Sequence, residues 1–228
     1  MTDAVPAPLR FPGRHAVLVL ALAVCVLAAM PAARAGLSGT GAKSLFGSTE
    51  VRAETVRMFP KWQGALSRHF DESRLGDAPC ESTLFNRCHL QDWTRFLGSI
   101  RGRDRTSQIE AVNTFMNQRR YIVDPRNYGV PDYWATPRQF LNRDGDCEDY
   151  AIAKYMSLRD LGMPPEQMRI VVLQDMNLRV AHAILVVWHQ GRALVLDNQI
   201  GTVVDATVIR HYRPIYSINE RHWWLHRL

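Results

Sequence analysis

Leu141-Asn-Arg-Asp-Gly-Asp-Cys-Glu-Asp-Tyr-Ala-Ile-Ala-Lys-Tyr155 sets one cysteine, Cys147, among four carboxylates: Asp144, Asp146, Glu148 and Asp149. The apolar period that begins at Cys147 runs through Tyr150, Ile152, Ala153 and Tyr155 to Leu161. It stops at Gly162, ahead of Pro164-Pro165, and so predicts a helix with Cys147 at its N-terminus. Nearby negative charge opposes formation of a thiolate. A reactive Cys147 therefore needs something to offset that charge.

Downstream of the helix the period changes. Arg169–Leu173, Ala181–Trp188 and Ala193–Leu196 are apolar and β-branched, with Gln190-Gly191 as a turn signal, and Tyr212–Trp224 reads as one more strand. Upstream, 52–68 reads as a weak helix interrupted by Pro60. A clearer helix spans about 107–120, with Ser107 as its cap, Glu110 three residues on and Ile109, Val112, Phe115 and Met116 as its core stripe. Residues 121–143, punctuated by Pro125, Gly129, Pro131 and Pro137, read as loop. The expected fold is α+β, a helical N-terminal half packed on a mostly antiparallel C-terminal sheet.

The N-terminus is a separate matter. Arg10, Arg14 and His15 precede the uncharged run Ala16–Met30, and Pro31 and Ala33-Arg-Ala35 follow. A run of about fifteen apolar residues is short for a membrane span and suits a secretory signal. Residues 1–35 are expected to be a signal peptide cleaved near Ala35, or else an uncleaved anchor, with 36–50 a flexible, Gly/Ser/Thr-rich mature N-terminus and 51–228 a single domain. Cleavage would remove Arg10, Arg14 and Arg34 against Asp3, so the formal net charge of +6 would fall by two. No dense Lys/Arg stripe argues for nucleic acid, and none is expected as a partner. Cys25 would leave with the signal. In an oxidising compartment Cys80 and Cys88 can then pair, leaving Cys147 as the odd thiol. Zinc on Cys80, Cys88 and His89 is the weaker alternative, since the spacing fits no usual ligand pattern.

Three residues fall into an order that carries chemistry. Cys147 sits where a helix macrodipole and free N–H groups favour a thiolate and where its own N–H can serve an oxyanion hole. His182 interrupts an apolar strand, and Asp197 ends the next one. Singly, each has a plainer reading: a structural cysteine, a core histidine, a turn aspartate. Together they match a nucleophile, its base and the orienter of that base. The acidic cluster lacks Gly at the sixth position of an EF-hand loop, where Asp149 stands, and has Tyr155 at the twelfth, so an EF-hand is excluded. Asp144 and Asp146 can cap the helix. A hard cation such as Ca²⁺ would in addition neutralise the cluster and restore a low thiol pKa.

Asp132-Tyr-Trp-Ala-Thr-Pro137, Gly145-Asp-Cys-Glu-Asp-Tyr-Ala-Ile-Ala-Lys154, the His182 strand, Leu196-Asp-Asn198 and Tyr216-Ser-Ile-Asn219 together resemble the bacterial transglutaminase-like cysteine proteinases, over about residues 90–226 and most closely their LapG-type periplasmic branch. The resemblance implies a papain/transglutaminase-like fold, with Cys147 as nucleophile, His182 as general base and acid, and Asp197 orienting His182. It implies Ca²⁺ beside the site, with Asp146 and Glu148 as ligands and Asp149 as a further one, Asp144 being left out. It also implies cleavage of the N-terminal region of a large surface adhesin at a di-alanine-type site, releasing the adhesin and promoting biofilm dispersal. The regulator implied is an inner-membrane receptor of LapD type that senses cyclic di-GMP and sequesters the protease in the periplasm. An exposed tryptophan serves that docking in the family, and Trp134 is the candidate. Two rivals stay open: a transglutaminase, using the same triad with an amine in place of water, and a non-catalytic binding module.

Overall fold

The computed structural model describes residues 45–74 and 89–228, all within one compact unit. The expected signal peptide, residues 36–44 and the Cys80–Cys88 pair lie outside the described residues. Seven antiparallel strands form one sheet: β1 (Thr49–Ala53), β2 (Met168–Asp175), β3 (Val180–His189), β4 (Arg192–Leu196), β5 (Val204–Asp205), β6 (Tyr212–Ile218) and β7 (Trp223–Arg227), in the order β1-β7-β6-β2-β3-β4-β5. Helices α1 (Pro60–Glu72), α2 (His89–Ile100), α3 (Arg105–Met116), α4 (Asp124–Asn127), α5 (Pro137–Arg143) and α6 (Cys147–Asp160) complete the unit. The α+β reading therefore holds.

Helix α6 is the axis of the molecule. It packs on β2 and β3 on one side and on α3 and α5 on others, and Tyr150 to Leu158 are all buried. Its buried stretch, mostly apolar but including Lys154 and Ser157, places α6 in the interior. Alternation along the strands divides the sheet's side chains between two cores. Leu185, Val187, Leu194 and Leu196 join the helix-side core, whereas Ile184, Val186 and Val195 join a second core under Leu45, Ala206 and Ile209. Gln190 and Gly191, both at positive φ, close the β3–β4 hairpin, as the turn signal anticipated.

Several boundaries differ from the sequence expectation, and proline accounts for most of them. Pro60 starts α1 rather than breaking it, Pro125 lies in the first turn of α4, and Pro137 opens α5. At a first turn the missing N–H is no loss and the fixed φ suits a helix. The loop expected over 121–143 thus holds two helices. The second has a full capping box: Thr136 Oγ1 accepts from Gln139 N at 3.2 Å, and Gln139 Oε1 accepts from Thr136 N at 3.0 Å. In α3 the cap is Asp104, whose carboxylate accepts from the backbone and hydroxyl of Ser107, so the helix starts two residues before the expected cap. The last expected strand is two, β6 and β7, joined at Asn219. Of the stretch expected to be loose over 36–50, residues 45–50 belong to the fold: Leu45 is buried and β1 begins at Thr49 to pair with β7.

Candidate active site

The chain enters α6 through Asp144-Gly145-Asp146, and this approach is tightly held. Asp144 takes a positive φ of 64° and is buried on Arg120 at 2.8 Å, which spends its charge on an ion pair away from the other acids. Tyr121 bridges in parallel with Gly145, and Ile122 N donates to Gly145 O at 2.8 Å. That short pairing draws residues 121–124 alongside the nucleophile loop. Gly145 has no room for a side chain, because a Cβ there would lie 2.8 Å from the Asp149 Cβ. Gly145→Ala is expected to cost about 1–3 kcal/mol by overpacking, read as a lower urea midpoint at unchanged m-value.

Cys147 is the first residue of α6, so its N–H is among those without an intrahelical partner. Its thiol donates to Glu148 Oε2 at 3.2 Å, and the backbone N–H of Ala183, the residue after His182, acts to lower its pKa. Burial, followed by the charges of Glu148 and Asp146, pushes the thiol well above its ordinary range. The conflict visible in the sequence is thus present in the fold.

His182 on β3 and Asp197, one residue beyond the end of β4, lie side by side. His182 Nε2 lies 2.9 Å from Asp197 Oδ1, and both side chains are almost fully buried. Asp197 Oδ1 also accepts from Gln199 N at 2.8 Å, and Oδ2 accepts from the Tyr212 hydroxyl at 2.6 Å. Burial alone would raise the pKa of Asp197. The hydrogen bonds from His182, Tyr212 and Gln199 outweigh it and hold the carboxyl below its usual range. The ring nitrogen left to face a thiol is Nδ1. The thiol's side-chain hydrogen bond goes to Glu148 rather than to the imidazole, so the structure assembles the His–Asp pair and sets Cys147 beside its strand without closing the third contact.

The carboxylates group differently from the expectation. Asp146 and Asp149 offer oxygens within 4.8 Å of one another together with Asp124, while Glu148 does so with Asp124 and Asp132. Asp124 is common to both sets, and the sequence reading missed both it and Asp132. Asp124 lies far back in the chain, in a stretch read as loop, and only the pairing of Tyr121 with Gly145 brings it in. Burial raises all four of the closest acids: Asp124 to about 6, Glu148 to about 8, and Asp146 and Asp149 in the same direction, each further raised by its neighbours. Asp124 Oδ1 and Asp146 Oδ1 are buried with no hydrogen-bond partner. Oxygen-only donors, crowded and partly orphaned, are what a hard cation such as Ca²⁺ takes, so the residues fit that ion.

Trp134 is a correction. Its side chain is only 7 % exposed, packed edge-on against Trp62 with centroids 6.4 Å apart, while its carbonyl accepts from Arg68. Trp62, fully buried and donating to Asn219 O, makes this a core pair, and Trp134 offers no indole face to a partner.

Residues 82–225 match the sequence model of the bacterial transglutaminase-like cysteine proteinases. The chain belongs to that family. Among solved structures it is similar to Legionella pneumophila LapG in the calcium-bound form, with 29% identity over 70% of this chain and 87% of that one at a TM-score of 0.57. The EGTA-treated form gives 28% identity, 77% and 89% coverage and a TM-score of 0.57. No curated protein matches this chain in sequence. The chain is thus a LapG-like cysteine proteinase with a transglutaminase-like α+β fold.

Proposed function

We propose that this proteinase is an exported, calcium-dependent cysteine endopeptidase in which Cys147, His182 and Asp197 form the catalytic triad. The observation that carries the reading is the buried pair of His182 and Asp197, with His182 on the strand that packs against α6, whose first residue is the thiol Cys147. Asp197 fixes the tautomer and orientation of His182, leaving Nδ1 to take the thiol proton once the two are brought into hydrogen-bond contact. Such contacts are often long before substrate binds. The Cys147 sulfur then attacks the scissile carbonyl, and the helix N-terminal N–H stabilises the oxyanion. His182 returns the proton to the leaving amine, and water releases the acyl group.

Asp124, Asp146 and Asp149, with Glu148 and Asp132 alongside, would hold the calcium. When bound, Ca²⁺ supplies positive charge that lowers the cost of a thiolate among carboxylates. Supporting the ion is the homologue, whose solved forms include a calcium-bound one.

The substrate, on this reading, is the N-terminal region of a large surface adhesin, cut at a di-alanine-type site in the periplasm so that the adhesin is released and the biofilm disperses. An inner-membrane cyclic-di-GMP receptor of LapD type sequesters the enzyme. These points rest on kinship with LapG and on the signal-like N-terminus. With Trp134 buried, the docking surface lies elsewhere.

The experiment sets hydrolysis against acyl transfer. Purified protein with calcium is given an adhesin N-terminal fragment, a glutamine donor and a labelled amine. Scission of the fragment without label is expected. Label entering the donor while the fragment stays whole would make the protein a transglutaminase.

A further inference from the structure

Helix α3 ends at Asn117, and the side chain of this residue does something that ending a helix does not require. Its Nδ2 donates to the backbone carbonyl of Asp197 at 2.8 Å. One turn earlier on the same face, Asn113 donates from Nδ2 to the carbonyl of Gly201 at 3.3 Å. Asparagine is a weak helix former, and burying its amide is unfavourable unless every polar atom is satisfied. Both residues nevertheless leave Oδ1 buried without a partner. Asn113 inside α3 and Asn117 at its C-cap thus each bury an amide, and both reach the loop after β4.

The ladders show why that loop needs them. Strand β4 pairs with β3 up to Leu196, and with β5 through Leu194 and Val195. At Asp197 the main chain has left both neighbours. Its carboxylate has three donors, but the donor to its carbonyl is Asn117. That bond ties the Asp197 backbone, which β4 otherwise holds only through its last paired residue Leu196, to the end of a helix that packs directly on α6. The fully buried Lys154 of α6, whose Nζ has no hydrogen-bond partner, adds a favourable charge interaction with Asp197 from the same side.

We infer that Asn117 is a positioning residue: it fixes the backbone of Asp197, and through the Asp197 carboxylate it sets the imidazole of His182 relative to the helix that carries Cys147. The inference rests on the triad proposed above.

The test uses the full calcium-loaded protein and a fluorogenic peptide with an internal Ala-Ala bond. Asn117→Ala is expected to lower kcat about tenfold at unchanged KM, a modest share of what a misplaced catalytic group can lose. Asn117→Asp, which keeps the shape and replaces the donor by an acceptor, is expected to lose more. Rates are taken per native molecule, counted from the amplitude of the cooperative unfolding transition, so loss of folded protein does not enter. If both variants keep the parent kcat on that basis, Asn117 is merely structural and the inference is overturned. The same substitution is then placed in an Asp197→Ala background. Acting through Asp197, it should cost nothing further in the residual rate there, and an equal fold-loss in both backgrounds would also overturn the inference. Should Asp197→Ala alone keep the full rate, the triad fails first, and that outcome is separate from a silent Asn117.

Discussion

Cys147→Ala is expected to abolish peptide cleavage, with a fall in kcat of about 10⁶-fold, the scale seen when a covalent nucleophile is removed. The fold should survive. Cys147 sits at the first turn of α6, where alanine is a good helix former, and its thiol donates a hydrogen bond to Glu148. Deleting that thiol also takes a buried acid out of a cluster already crowded with negative charge. The variant is therefore expected to bind calcium at least as tightly as the parent, by calorimetry, while showing no turnover. That combination separates a catalytic thiol from a structural one. A binding module would lose nothing on this substitution, and persistent cleavage by the purified variant would end the proposed mechanism. His182→Ala should cost nearly as much, and the double variant little more than either, because the residues act as one unit.

The proposed nucleophile and its partners could be named because Cys147 opens a helix, His182 breaks an apolar strand and Asp197 follows the end of the next. A change of period at Cys147, a histidine within an apolar strand and an aspartate just past the next were enough to put the three forward as candidates. The acidic cluster was legible only in its local half. Asp146, Glu148 and Asp149 are neighbours in sequence, but Asp124 and Asp132 come from a segment whose prolines read as loop punctuation. Pro125 and Pro137 instead start helices, and their effect depends on which side of the proline the helix extends, a distinction that composition does not carry. Trp134 failed for another reason. Its polar neighbours Asp132 and Tyr133 suggest a surface loop, yet the indole turns inward to Trp62, a partner more than sixty residues away that no local pattern could supply. The Asn117 contact with Asp197 is invisible for the same reason: in sequence, Asn117 is an ordinary polar residue near the end of a helix expected to run to about 120.

Calcium should stabilise this protein by an amount that grows with pH, and removing Asp124 should erase the effect. The ordinary carboxyl values of Asp124 and Glu148 are 3.8 and 4.5, whereas in the metal-free fold burial holds them at about 6 and about 8. Between those limits the folded chain keeps protons that the unfolded chain has released. Their contribution to stability is therefore present at low pH and lost as pH rises through the folded values. Calcium needs the same carboxylates ionised, so its binding competes with protons and strengthens over that window. At about a hundredfold excess over Kd a ligand adds roughly 2.7 kcal/mol. In a chain of this length that is roughly 5–10 °C in Tm. The calcium-induced rise in Tm, measured by scanning calorimetry, should thus be small near about pH 5 and large near about pH 8, with magnesium giving little because its demand for six close ligands suits this cluster poorly. Asp124→Ala removes the one residue common to both carboxylate sets. It should abolish the calcium-dependent part of Tm at every pH and bring cleavage down to the rate seen in excess chelator. Equal cleavage with and without a calcium-selective chelator, or a calcium shift that shrinks as pH rises, would show that these carboxylates hold protons for some purpose other than the metal.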